Sequence, residues 1–162
     1  MGEKVAVYAG SFDPLTYGHV NIIERALKIF DKVIVAVATN YQKQPLFSPE
    51  ERVEMIKEVF KDEPRVEVES FEGLLVDYMK KKDIKIIIRG LRATSDFEYE
   101  YHMASMNRSL YPEVDTIFMV TAKDYFFISS RTIKEIASLG GEVSDFVPPI
   151  VAKKLKEKFK GK

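Results

Sequence analysis

Five short runs of branched and small apolar residues recur along the 162-residue chain, at Val5 to Ala9, Val33 to Thr39, Val66 to Val68, Ile84 to Ile88 and Thr116 to Val120. Several are apolar at nearly every position, the mark of a strand covered on both faces. Helical patterns fill the gaps. Val20 to Phe30 sets Ile22, Ile23, Ala26, Leu27 and Phe30 on one side. Ser48 can cap a following helix, Pro49 suits its first position, and Glu51 completes a capping box. Leu74 to Lys82 and Phe97 to Leu110 supply two more. This alternation demands right-handed crossovers. It predicts an α/β fold, a Rossmann-like, doubly wound, five-stranded parallel sheet with helices on both faces. After Val120, a helical stretch through Ala137, a break at Gly140-Gly141 and a helix opened by Pro148-Pro149 predict a C-terminal helical extension. No linker or repeat divides the chain, so residues 1–162 read as one domain.

Such sheets bind ligands beyond the carboxyl ends of their strands, near the point where strand order reverses. Three loops follow strands here and carry unusual chemistry: Gly10 to Gly18, Asn40 to Phe47, and Arg89 to Asp96. The first, Gly-Ser-Phe-Asp-Pro-Leu-Thr-Tyr-Gly, leads into His19 near the first turn of a helix. A helix N-terminus offers free N–H groups and partial positive charge, a natural seat for phosphate. Thr16-Tyr17-Gly18-His19 has the (Thr/His)-x-Gly-His form. Neither Gly-x-x-x-x-Gly-Lys-Ser/Thr nor Gly-x-Gly-x-x-Gly occurs.

Composition narrows the classes. Lys plus Arg and Asp plus Glu each number 25, which gives no global argument for nucleic acid or an anionic membrane. Any anion site must be built locally. The absence of cysteine excludes disulfides, thiolate nucleophiles and cysteine-ligated metals. No apolar run is long enough to span a bilayer and no signal-peptide pattern opens the chain, so a cytoplasmic protein is the expectation. The lysines of the last helix read as a solvated face.

Arg89 and Arg92 emerge at the ligand edge of the Ile86-Ile87-Ile88 strand, suited to bidentate phosphate binding, with an ion pair to Asp96, Glu98 or Glu100 as the competing account. Ser129-Ser130-Arg131 opens a helix after Tyr125-Phe126-Phe127, which suggests a second phosphate seat beside an apolar slot for a base. Lys43, alone, reads as a solvated loop lysine. His102 lies in a helix of mixed character and reads as structural or exposed. The two histidines are far apart, and no metal-ligand spacing or Gly-x-Ser-x-Gly elbow is present.

Taken together, Gly10 to Pro14, Thr16 to His19, Ile88-Arg89-Gly90-Leu91-Arg92, Asp96-Phe97-Glu98-Tyr99-Glu100, Met106-Asn107-Arg108 and Phe127-Ile128-Ser129-Ser130 resemble the phosphopantetheine adenylyltransferase family of nucleotidyltransferases, over essentially the whole chain. The resemblance implies adenylyl transfer from ATP to 4′-phosphopantetheine, giving dephospho-CoA and pyrophosphate in coenzyme A biosynthesis. It places Ser11, Phe12, His19, Gly90, Leu91, Arg92, Glu100 and Tyr125, Phe126, Phe127, Ile128, Ser129, Ser130 and Arg131 on ATP-binding positions. Ser11, Lys43, Leu75 and Arg89 fall on acceptor-binding positions. His19 is expected to be a neutral hydrogen-bond donor that stabilises the transition state, its pKa lowered at the helix N-terminus. The family often has threonine at Ser11, and some relatives have serine at Arg131. The resemblance further implies Mg2+ with ATP, dephospho-CoA or coenzyme A as product or inhibitor, and a homohexamer. A nucleotidyltransferase acting on nicotinate mononucleotide or glycerol 3-phosphate, and a non-catalytic nucleotide-binding module, are the competing readings.

Overall fold

The computed structural model describes residues 2–40 and 44–160, without the side chains of Thr94 and Ser95. Five parallel strands form one sheet: β1 (Val5–Gly10), β2 (Lys32–Thr39), β3 (Val66–Glu72), β4 (Ile86–Leu91) and β5 (Asp115–Val120). Their order is β3-β2-β1-β4-β5, so the direction of winding reverses between β1 and β4. Six helices connect or follow them: α1 (Tyr17–Ala26), α2 (Pro49–Val59), α3 (Leu75–Lys82), α4 (Thr94–Leu110), α5 (Ser130–Ser138) and α6 (Pro149–Phe159).

Strand alternation divides the core. Ala6 and Tyr8 of β1, with Val33, Val35 and Val37 of β2, face α1, α2, α5 and α6. Val7, Ala9, Ile34 and Ala36 point the other way, against Val76 and Met79 of α3 and Tyr111 after α4. The C-terminal extension is thus part of the core, through Ile133, Val151 and Leu155. Its lysines are partly employed: Lys158 reaches Glu51 at 3.1 Å and lies 5.6 Å over the Phe47 ring, tying α6 to the start of α2.

Element boundaries differ from expectation where capping or pairing outweighs periodicity. α1 starts at Tyr17, three residues before Val20, because the Thr16 side chain accepts from the His19 N–H. β3 runs on to Glu72 because it is an edge strand, paired to β2 through Glu72 and only half covered. β4 starts at Ile86, since Asp83 adopts a left-handed conformation that ends α3. β4 also continues to Leu91, held by pairing of Arg89, Gly90 and Leu91 with Phe118, Met119 and Val120. α4 begins at Thr94, ahead of Phe97.

At the winding reversal the central strands part early. β1 pairs with β4 only at Val7 with Ile87 and Tyr8 with Ile88. Past those residues the two backbones leave a crevice whose walls are Ala9-Gly10 and Arg89-Gly90, the place the topology reserves for a ligand.

Candidate active site

The crevice opens into a cleft of about 450 Å3, lined by Gly10, Ser11, Phe12 and His19 on one side, Arg89, Gly90, Arg92 and Glu100 on another, and Ile128, Ser129, Ser130 and Arg131 on the third. A second cleft, about 580 Å3, adjoins it and shares Ala9, Gly10, Ser11, Arg89 and Glu100. Its far walls are Phe71, Leu74 and Leu75 at the start of α3, and Tyr99, Met103 and Asn107 on α4. Sites expected for two different reactants therefore meet at one serine and one arginine.

His19 is the third residue of α1 and closes a capping box with Thr16. The Thr16 main-chain N–H donates to Nδ1 of the ring at 3.0 Å. Because Nδ1 accepts, the neutral ring carries its proton on Nε2, and that N–H is the donor left for the cleft. Phe12 packs edge-on against the imidazole with centroids 4.9 Å apart, and Tyr8 packs on Phe12 at 5.2 Å. Phe12 holds this place from a left-handed backbone with φ of 48°, a costly conformation for a bulky residue. Gly10 permits it, since a Cβ there would press on the Phe12 ring at 3.3 Å.

Desolvation, then the positive fields of Arg92 and Arg89, lower the His19 pKa to about 3. A neutral imidazole was expected at the helix N-terminus, but its main causes are burial and the two arginines. The ring should therefore show flat NMR shifts between pH 5 and 8; a midpoint near 6.5 would contradict this. An unfolded-state histidine titrates near 6.5. The depressed native pKa thus gives a contribution to stability that is full above about 6.5 and lost as pH falls toward 3.

Arg89 forms a two-pronged ion pair with Glu100, Nε to Oε2 at 2.9 Å and Nη2 to Oε1 at 2.6 Å. Its Nη1 donates to the Ala9 carbonyl at 2.5 Å, bridging the parted strands. Desolvation acts to lower its pKa, but the Glu100 hydrogen bonds and charge prevail and raise it. The ion pair and a place in the ligand crevice, posed as competing accounts, are both realised. Arg92 is tethered through Nη1 to the Ile128 carbonyl at 3.3 Å and lines the first cleft. Ser129 caps α5 by accepting from the Thr132 N–H, while Ser130 Oγ donates to the Pro14 carbonyl at 2.7 Å. One hydroxyl thus caps the helix, and the other ties that helix to the loop after β1.

Of the other expected site residues, Leu75 lines the second cleft. Leu91, Tyr125, Phe126 and Phe127 are not among the lining residues of either. Tyr125 packs beside Gly18, while Phe126 and Phe127 are exposed and meet edge to face at 5.7 Å. Lys43 lies outside the described residues. His102 is exposed on α4. Tyr8, Thr121, Tyr99 and Met103 line the clefts without having been singled out as site residues. Only the register of β1 with β4 and the placement of α4 bring them there.

Among the described residues no group of three His, Cys, Asp or Glu side chains could hold a metal ion, and no helix is long and apolar enough to cross a membrane.

Comparison with known proteins agrees with this geometry. Residues 7–136 match the cytidylyltransferase-like family model. Proteins named phosphopantetheine adenylyltransferase are similar over nearly the full length. That of Caldanaerobacter subterraneus subsp. tengcongensis is 57% identical over 97% of this chain and 98% of its own. That of Dictyoglomus turgidum is 58% identical over the same shares. That of Geobacter sulfurreducens is 53% identical over 99% and 98%. With a paired cleft at the winding reversal and this extent of identity, the chain belongs to the phosphopantetheine adenylyltransferase family, within the cytidylyltransferase-like group.

Proposed function

We propose that the protein catalyses reversible adenylyl transfer from ATP to 4′-phosphopantetheine, giving dephospho-CoA and pyrophosphate, in coenzyme A biosynthesis. The observation that carries the reading is the pair of clefts joined at Ser11 and Arg89. ATP lies in the first cleft, its phosphates among His19, Arg92, Ser129, Ser130 and Arg131. Phosphopantetheine lies in the second, its apolar arm along Leu75 and its phosphate at Ser11 and Arg89, with Lys43 as a further cationic contact. An oxygen of the acceptor phosphate attacks the α-phosphorus of ATP. A new P–O bond forms as the bond to the β-phosphate breaks, and pyrophosphate leaves. The attacking oxygen is already ionised at neutral pH, so no general base is required. Catalysis consists of holding two mutually repelling anions in line and stabilising charge at the α-phosphate, where the Nε2–H of His19 donates. ATP enters as its magnesium complex. That ion would be held largely by phosphate oxygens and water, and would shield the charge of the triphosphate. Dephospho-CoA and coenzyme A occupy the same clefts as product or inhibitor, and soluble reactants suit a cytoplasmic location.

Pyrophosphate release from ATP, followed with phosphopantetheine, nicotinate mononucleotide and glycerol 3-phosphate in parallel, tests the reading. Release with phosphopantetheine alone is the expected result. Release only with another acceptor would overturn the substrate assignment. ATP binding without release in any arm would make the protein a binding module.

The working unit is proposed to be a homohexamer, as the resemblance implies. α4 leaves Phe97, Tyr101, Met106 and Leu110 exposed, and the neighbouring edge strand β5 exposes Val120 on the sheet face that Phe118 shares with α4. Phe97 packs against Tyr101 at 5.9 Å and Phe118 at 6.2 Å, so helix and strand make one continuous apolar strip. A strip of this kind on a soluble chain marks an association surface. Light scattering should give a particle of six copies, and Met106→Glu should dissociate it. A wild-type monomer would contradict the proposal.

A further inference from the structure

Arg52, in the first full turn of α2, lines neither main cleft and is only 2% exposed. Its hydrogen bonds in the structure go to main-chain carbonyls. Nε donates to Phe47 at 3.1 Å and, more weakly, to Ser48 at 3.4 Å. Nη1 donates to Ser11 at 2.8 Å and to Ala38 at 3.2 Å. One guanidinium therefore joins the loop after β1, the end of β2 and the segment that leads into α2.

Asp13, also buried, grips the same segment from its other polar side. Its Oδ2 accepts from the Leu46 N–H at 2.9 Å, and its Oδ1 from the Phe47 N–H at 2.9 Å. Oδ2 also accepts from Lys134 Nζ of α5 at 3.0 Å. The segment's N–H groups go to a carboxylate and its carbonyls to a guanidinium. Because Ser11 and Asp13 belong to one tight loop, the result is a closed ring of contacts. Asp13, Arg52 and Lys134 line a small cavity of about 180 Å3 that meets both clefts at Ser11.

We infer that Arg52, acting with Asp13, is a positioning residue for the transfer step: it fixes the end of β2, where Ala38 lines the second cleft, and residues 46–48 against Ser11, and so sets the acceptor side of the site against the nucleotide side. The inference rests on the adenylyl-transfer reading above. Arginine suits the task because its planar fork covers several directions at once, whereas lysine offers one compact ammonium. Held anions react in line only when their separation is right, and an error of about 1 Å costs roughly 10²-fold in rate.

The test uses the full chain, below its unfolding midpoint. Arg52→Lys keeps the charge but cannot bridge both Ser11 and Phe47. Initial rates with varied phosphopantetheine, calorimetric ATP binding and thermal unfolding are measured together. The expected pattern is kcat lowered about 10- to 100-fold, acceptor KM raised, and ATP Kd within about 2-fold of wild type. Asp13→Asn should reproduce it, since an amide would set one N–H against the N–H of Leu46 or Phe47. Lys134→Met leaves both amide contacts of Asp13 in place and should lower kcat by less than either. A folded Arg52→Lys protein with wild-type kcat and KM would overturn the inference and leave the proposed function standing. So would a loss of ATP affinity equal to the loss of kcat. If Arg52→Lys does not fold, Asp13→Asn and Lys134→Met are read by the same criteria. A wild-type chain that releases no pyrophosphate would instead fail the functional reading.

Discussion

Replacing His19 with alanine should lower kcat by about 10²- to 10³-fold while ATP Kd changes by only a few-fold. The figure is that for removing one oriented donor from a site where charge grows in the transition state. The expectation of a split between kcat and Kd comes from the ring's wiring. Nδ1 is held by the Thr16 N–H, so Nε2 presents its proton with no reorganisation as reaction begins. Desolvation and Arg92 keep the ring neutral, so it adds little to ground-state attraction for a polyanion. The interaction therefore strengthens mainly as the α-phosphate becomes more negative. His19→Gln keeps a donor of similar reach and should recover part of the rate. Steady-state kinetics with calorimetry decides the matter. Parallel losses in kcat and ATP affinity would assign His19 to ordinary binding.

The second large effect belongs to Arg89. Arg89→Met should cut kcat/KM for phosphopantetheine by about 10²- to 10³-fold. Truncating one member of a buried, hydrogen-bonded charge pair costs about 2–5 kcal/mol, and the cleft's access to water draws the figure toward the lower end. Two losses combine. The acceptor phosphate loses a cation, and Glu100, held in two prongs by Arg89, is left as an uncompensated carboxylate beside both anionic reactants. A double variant separates them. Arg89→Met with Glu100→Met removes both charges and should regain much of the lost thermal stability, since a buried pair can be exchanged for apolar side chains at little net cost. Activity should stay low in the double variant, because the phosphate still lacks its partner. Recovery of activity with stability would mean that Arg89 serves the fold alone.

These expectations draw on unequal parts of the sequence. The sheet was legible because Val5 to Ala9 and Val33 to Thr39 are apolar at nearly every position, as strands buried on both faces must be. Edge strand β3 was read short, because Glu69, Ser70 and Glu72 make the run after Val68 resemble a surface segment until its pairing with β2 is known. The first cleft was legible through Gly10 to His19, Arg89 to Arg92 and Ser129 to Arg131, each carrying a phosphate-binding residue type at a strand or helix end. The aromatic slot expected of Phe126 and Phe127 is absent from the cleft walls because both rings turn outward. Arg52 gave no local sign of its partners. Its apolar neighbours Val53, Met55 and Ile56 mark a buried helix face, and an arginine on such a face reads as an anomaly. Only the tertiary fold reveals the four carbonyls gathered around it.

Chirality at the α-phosphorus offers the most direct test of the central claim, that two anions held side by side react without a covalent protein intermediate. The measurement is the stereochemical course of transfer from a single diastereomer of ATPαS to phosphopantetheine. A single in-line displacement across the joined clefts predicts inversion at phosphorus. Retention would require two successive displacements through an adenylylated side chain, and would contradict the account.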